Sequence, residues 1–96
     1  MNILEEANEI TGGERNDSYG HPRTDFDRTA AFWSAIFGFP VTAEQVALCM
    51  IALKLSREVH KHKRDNLVDI AGYSRTREML GEAVKNKNKN ARQNIR

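Results

Sequence analysis

The sequence predicts an all-α fold with a short N-terminal helix, a loop, and a three-helix core that ends in an antiparallel helical hairpin. Apolar residues recur at helical spacing, glycine or proline marks most predicted helix ends, and no segment requires a strand. At 96 residues, the chain has room for one domain with a thin core. We expect this domain to span residues 1–82 and to be followed by a flexible basic tail over residues 83–96.

The first predicted helix covers about residues 2–10. Its glutamates lie outside an apolar stripe that is formed by Ile3, Leu4, Ala7 and Ile10. Two successive glycines stop a helix efficiently, so we expect Thr11-Gly12-Gly13 to end it. A polar loop over residues 14–22 then leads to the second helix.

The second predicted helix runs from about Thr24 to Phe37. The residue before a proline is disfavoured in helical backbone angles, so His21 should be extended and the helix should begin after it. Gly38-Phe39-Pro40 ends the helix. An aromatic stripe turned towards the core is formed by Phe26, Ala30, Trp33 and Phe37.

The third predicted helix begins with a capping box. The Thr42 hydroxyl can cap the helix, and Gln45 follows three residues later. The helix extends to about Val59, and residues 46–53 are all apolar, so it should be buried on every side. Cys49 lies in this run and is expected to be a small buried hydrophobe. Three short neighbouring helices cannot easily cover such a helix, which favours a homo-oligomer.

The fourth predicted helix completes the hairpin. We expect the chain to reverse direction at residues 61–63 and to return as a helix over about residues 65–80. Gly72 lies in the middle of this helix, where glycine costs about 1 kcal/mol relative to alanine. We therefore expect Gly72 to permit a close contact with another helix or with a ligand.

The candidate site lies where the hairpin becomes polar. Lys54 directly follows the apolar run and needs a partner, because an unpaired buried ammonium is costly. An antiparallel hairpin would place Lys54 roughly beside Asp69 and Ile70. The same register would place residues 57–58 beside residues 65–66. Asp65 and Asp69 are four residues apart and therefore share one face of their helix.

This group of charges has two interpretations. Bases that face acids across a hairpin can simply satisfy each other's charge and fix the register. Alternatively, Asp65 and Asp69 hold Mg²⁺, with Glu58 as a third carboxylate, since Mg²⁺ takes few protein carboxylates and completes its coordination with water and substrate phosphate. Lys54 and Arg57 would then hold phosphate oxygens. In a Mg²⁺-dependent reaction, the catalytic residues would be Asp65, Asp69 and Lys54.

The loop before the second helix contains Tyr19-Gly20-His21-Pro22. Tyr19 offers a ring for stacking and His21 offers an imidazole, so both suit contacts with the base or sugar of a nucleotide. The alternative is that Tyr19 only covers an edge of the core. Elsewhere, His60 and His62 lack further Cys or His ligands at suitable spacing, so zinc is not predicted.

Composition excludes several classes of protein. The formal net charge is only +2, with much of the excess in the tail, so nucleic acid binding is not expected except through the tail. The longest apolar run is shorter than the roughly 20 residues that span a bilayer, and no signal peptide pattern is present. One cysteine excludes an internal disulfide. We expect a cytoplasmic protein.

Four motifs along the chain are distinctive together: Ile3-Leu4-Glu5-Glu6-Ala7, Tyr19-Gly20-His21-Pro22, Lys54-Leu55-Ser56-Arg57 and Lys63-Arg64-Asp65-Asn66-Leu67-Val68-Asp69-Ile70-Ala71-Gly72-Tyr73. They resemble those of a small family of unknown function that is found largely in bacteriophage and prophage genomes. The resemblance covers about residues 3–80 and implies a phage-encoded protein in the host cytoplasm. A more distant similarity is to nucleotide-modification-associated phage domains and, through them, to all-α nucleoside triphosphate pyrophosphohydrolases of the MazG type.

Two hypotheses about function follow. In the first, the hairpin binds a nucleotide or another phosphorylated small molecule and, if it is an enzyme, hydrolyses it with Mg²⁺. In the second, the chain is a non-catalytic interaction protein that sequesters a host signal or inhibits a host enzyme, and the hairpin is only structural. A screen of nucleotides with and without Mg²⁺ discriminates between the two.

Overall fold

The computed structural model describes residues 1–13 and 19–94, with side chains as far as Glu82. The described residues contain no strand, which confirms the all-α prediction. The helices of this part of the chain are α1 (Ile3–Gly12), α2 (Pro22–Phe37), α3 (Ala43–His60) and α4 (Arg64–Asn94). α3 and α4 form the predicted hairpin, α1 packs on α4, and α2 packs on both α3 and α4.

Capping side chains and a glycine set the ends of the first two helices. The Asn2 side chain accepts a hydrogen bond from the Glu5 N–H at 2.9 Å and so caps α1. His21 is extended, as predicted, and its Nδ1 accepts from the Arg23 N–H at 3.0 Å. α2 begins at Pro22 rather than near Thr24, because proline fits the first position of a helix. Gly38, at a φ of 76°, ends α2 in the left-handed conformation.

The capping box of α3 is present as predicted. Thr42 Oγ1 accepts from the Gln45 N–H at 3.1 Å, and Gln45 Oε1 accepts from the Thr42 N–H at 2.9 Å. The short connection from α2 is fixed by Ser34, whose hydroxyl accepts from the Val41 N–H at 2.8 Å. These contacts set the start of α3 against the end of α2.

The core lies where α2, α3 and α4 meet. Phe26 and Tyr73 contact each other there, with ring centroids 6.4 Å apart. Trp33, which was predicted to face the core, is half-buried and packs against the edge of this core. The buried members of the core are Phe26, Ala30, Ala43, Val46, Ala47 and Leu80.

α1 lies against α4 around Gly72. Ala7 and Thr11 are buried there, and a Cβ atom at Gly72 would lie 3.7 Å from Thr11 Cγ2. Gly72 is therefore in a helix contact, as predicted, but this is an ordinary van der Waals distance, so the contact does not need glycine. Arg64 holds the start of α1, since its guanidinium pairs with Glu6 and donates to the Met1 carbonyl at 3.0 Å.

Two predictions about burial are wrong for the single chain. α3 is not buried on every side, because α1 packs on α4 instead of covering α3. Cys49 is exposed rather than buried. The predicted apolar stripes of α1 and α2 are also longer than the surfaces that pack on other helices, so Leu4, Ile10 and Phe37 are exposed.

The fourth helix is longer than predicted. α4 runs to Asn94, past the expected end near residue 80, because a single Gly81 does not stop a helix whose other residues include good helix formers. The flexibility of residues 83–96 stays a prediction, since their side chains lie outside the described part. Within the described residues, no helix has both the length and the apolarity needed to span a bilayer.

Candidate functional site

An open groove of about 710 Å³ lies between the last turns of α3 and the first turns of α4. Its position is the one that the sequence predicts, where the apolar hairpin becomes polar. The hairpin brings four of the predicted site residues into this groove, which is lined by Lys54, Ser56, Arg57, His60, Lys61, Lys63, Asp65, Asn66 and Asp69.

Lys54 and Asp69 form the ion pair that the hairpin register predicts. Lys54 Nζ lies 2.7 Å from Asp69 Oδ2. The Lys54 side chain is 17% exposed and the Asp69 side chain is 37% exposed, so the pair sits at the boundary between the core and the groove. Lys54 is therefore held in a fixed position, with its charge balanced, at one wall of the groove.

Glu58 organises the turn between the two helices. Its Oε1 accepts from the Lys63 N–H at 3.0 Å and from the Asn66 side-chain amide at 3.1 Å. Its Oε2 pairs with His62 Nδ1. The contact with His62, followed by the bonds from Lys63 and Asn66, lowers the pKa of Glu58. Asn66 is buried, so its bond to Glu58 also fixes the start of α4.

These contacts give Glu58 a structural role, and its part as a third carboxylate for Mg²⁺ stays a prediction. Glu58 does not line the groove, and its two oxygens already accept from the turn. In the part of the chain that the structure describes, no three His, Cys, Asp or Glu side chains are arranged to hold a metal ion. Asp65 and Asp69 do share the groove, and their role as a two-carboxylate Mg²⁺ site stays a prediction.

The groove carries an excess of positive charge. Its four basic side chains face only two carboxylates, and one of these carboxylates, Asp69, is already paired with Lys54. Among the described residues, the side chains of Arg57, Lys61 and Lys63 have no acidic partner within ion-pair distance. Three cations that converge on one concave surface favour an anion, because each gains a charge-assisted hydrogen bond when the anion binds.

Tyr19 and His21 are not brought to the groove. Neither residue is among those that line it, and the His21 ring caps α2 instead. Their contact with a base or sugar is not tested by this arrangement and stays a prediction. A His-Pro pair at the start of a helix also suits a local cap, and that signal was available in the sequence.

Other residues of the groove were missed by sequence reasoning. Lys61 and Lys63 were not predicted to bind a ligand, and His60 was considered only for zinc. The run of basic residues over 60–64 was a signal that the turn could hold an anion. The position of Asn66 beside Glu58 agrees with the predicted register, but the hydrogen bond between them was not predicted.

The fold and the groove define a small all-α protein with a basic, open site at one end of a helical hairpin. Residues 2–81 match the family described as "Domain of unknown function (DUF6378)", so the chain belongs to this family. No solved structure matches the chain.

Two relatives come from mycobacteriophages. The chain is 41% identical over 76 residues, or 77% of its length, to the "Gene 55 protein" of Mycobacterium phage L5. It is 40% identical over 73 residues, or 75% of its length, to the "Gene 55 protein" of Mycobacterium phage D29. The matched regions cover 49% and 48% of these relatives, so the chain spans about half their length.

These comparisons confirm the resemblance to a phage protein family of unknown function. They do not support the more distant similarity to MazG-type pyrophosphohydrolases.

Proposed function

We propose that the groove between α3 and α4 binds a nucleotide or another phosphorylated small molecule through its phosphate groups. The observation that carries this proposal is the convergence of Arg57, Lys61 and Lys63, without acidic partners in the described part of the chain, beside the fixed Lys54. The volume of about 710 Å³ lies within the range of about 300–1,000 Å³ that is usual for small-molecule sites.

A purely structural interpretation accounts for only part of the charge. It explains Lys54, which pairs with Asp69, and Glu58, which holds Asn66. It gives no role to Arg57, Lys61 or Lys63, whose like charges repel one another when no anion is present. Ligand binding would supply the counter-charge that Arg57, Lys61 and Lys63 lack.

Each groove residue has a distinct part in this proposal. The planar guanidinium of Arg57 suits two oxygens of one phosphate, whereas Lys61 and Lys63 add point charges at the mouth. Asp69 positions Lys54 against the same phosphate. Asp65 and Asp69 both line the groove. If they hold Mg²⁺, the ion would neutralise phosphate charge and so extend binding to hydrolysis.

The test is a thermal-shift and calorimetric screen of nucleotides and inorganic phosphate, with and without Mg²⁺. A ligand at 100 times its Kd adds about 2.7 kcal/mol of stability, which raises Tm by several degrees in a domain of this size. Arg57→Gln should abolish the shift. Arg28→Gln is the matched control, because Arg28 is exposed on α2 and does not line the groove.

Two outcomes would contradict binding: no shift with any of these compounds at millimolar concentration, or equal shifts for the wild type and Arg57→Gln. Turnover is measured separately, by release of phosphate or pyrophosphate with Mg²⁺. If binding is found and turnover is not, the groove is a binding site without hydrolysis.

A second candidate function is the binding of a host protein without catalysis. It is favoured by Phe32 and Ile36, large apolar side chains that are exposed one turn apart on α2. A host protein that forms a stoichiometric complex with the wild type in sedimentation, and not with Ile36→Glu, would support it. Retention of such a complex by Ile36→Glu would exclude this surface.

A further inference from the structure

The outer side of α3 carries an exposed apolar stripe. The stripe consists of Leu48, Ala52, Leu55 and Val59, at spacings of four, three and four residues. At about 100° per residue, these positions fall within about 60° of the helix circumference. Leu48 is 53% exposed, Leu55 is 50% exposed and Val59 is 88% exposed. The stripe is therefore a continuous apolar seam that faces away from the core.

α2 and α4 pack on the opposite side of α3. Val46 and Ala47 face the core, and Lys54 and Glu58 face α4. α1 is in contact with α4 and does not reach α3 in the described part of the chain. The stripe thus has the spacing of a two-helix seam, while no helix of the described chain covers it.

The stripe is complementary to itself when it is reversed. In an antiparallel pair centred between positions 53 and 54, Leu48 of one copy meets Val59 of the other. In the same pair, the large Leu55 meets the small Ala52, so side chains fit without a clash or a void. Every contact occurs twice, as a twofold interface requires.

Charge favours the same orientation. The first turn of α3 contains Glu44, and its last turn contains Arg57 and His60. An antiparallel pair places each acidic first turn near the basic last turn of the other copy, and opposed helix dipoles attract. A parallel pair would bring like ends together.

We propose that a second copy of this chain covers the stripe, with the two α3 helices packed antiparallel about a twofold axis. Ser56 lines the groove and follows Leu55, so the first half of the partner's α3, up to position 51, would lie along the edge of the groove. The interface and the groove are nevertheless separate surfaces, and dimerisation does not depend on the ligand proposal.

Sedimentation velocity on the full chain tests the dimer. The wild type should be a dimer at micromolar concentration. Leu55→Glu should weaken the dimer by tenfold or more, because each copy would bury a carboxylate against apolar side chains. Leu4→Glu is the matched control, since Leu4 is 67% exposed on α1 and lies off the stripe; this variant should remain dimeric. Circular dichroism should show the same helix content for all three.

A monomeric wild type throughout the micromolar range would overturn the proposal. So would a Leu55→Glu variant that dimerises as strongly as the wild type. If Leu55→Glu fails to fold, Ala52→Glu, at the other central position of the stripe, replaces it in the same comparison, because Ala52 is also exposed.

Cysteine cross-linking tests the orientation in a Cys49→Ser background. Leu48→Cys combined with Val59→Cys should give a covalent dimer on oxidation. Neither single variant should do so, because the two copies of one position would lie about 16 Å apart along the axis, beyond disulfide reach. Efficient cross-linking of either single variant would indicate parallel helices and would overturn the antiparallel arrangement.

Discussion

The two halves of α3 contact the rest of the molecule by different means. In the first half, Val46 and Ala47 are buried in an apolar core against Leu80. In the second half, Lys54 and Glu58 reach α4 through an ion pair and a hydrogen bond. Apolar burial contributes most of the stability but tolerates small shifts, whereas polar contacts work only at short distance. The apolar half therefore stabilises the hairpin, and the polar half fixes its register.

The largest expected effect is the loss of a core side chain. Leu80 is fully buried, so Leu80→Ala should lower the free energy of unfolding by about 2–5 kcal/mol, through lost burial and the cavity left behind. Urea unfolding measures the change. Leu4→Ala, at an exposed position, should change it by no more than about 0.5 kcal/mol. Similar losses for the two variants would mean that the core that Leu80 shares with Val46 and Ala47 of α3 does not supply most of the stability.

A smaller effect is expected at the ion pair. Asp69→Asn should cost about 1–2 kcal/mol, between the values for exposed and buried pairs, because both side chains are partly exposed. Adding Lys54→Met should recover much of this loss, since it removes the unpaired charge. Urea unfolding of the single and double variants gives the coupling. If the losses caused by Asp69→Asn and by Lys54→Met simply add in the double variant, the two side chains are not coupled, and the ion pair does not fix the register.

The smallest expected effect is the pH dependence of the turn. The pKa of Glu58 is lowered in the folded protein, chiefly by His62, so this contribution to stability is present above the ordinary pKa of 4.5. It is lost as the pH falls from 4.5 through the lowered folded value. Stability followed from pH 7 into this acid range should therefore fall less steeply for Glu58→Gln than for the wild type.

Part of that acid dependence should remain in the variant. Arg23 lowers the pKa of Glu44 in the first half of α3, so Glu44 contributes with the same sign. If stability falls as steeply with pH in Glu58→Gln as in the wild type, the turn does not depend on the Glu58 carboxylate.

Local sequence patterns correctly predicted the structural features that depend on residues close in the chain. The capping box at Thr42 and the extended His21 need only residues close in the chain, and both are confirmed. The pairing of Lys54 with Asp69 followed from hairpin register alone and is also confirmed. Such features are predictable because short-range geometry determines them.

Features that depend on which helices meet were not predictable. The apolar run of α3 indicated burial on every side, but Cys49 is exposed because α1 packs on α4. The metal role of Glu58 stays a prediction, whereas its hydrogen bonds from the Lys63 N–H and the Asn66 amide became visible only in the structure. A carboxylate has the same sequence signature in both roles, and only the three-dimensional neighbours distinguish them.

The order of folding follows from the contacts of the turn. Glu58 reaches its partners only four to eight residues along the chain, whereas Arg64 reaches Glu6 across 58 residues. Short loops lose less entropy on closing and form faster, so the α3–α4 hairpin should form early and α1 should dock last. Of the described helices, α1 is synthesised before the other three, and it must therefore wait until Arg64 and the rest of its docking surface have been translated.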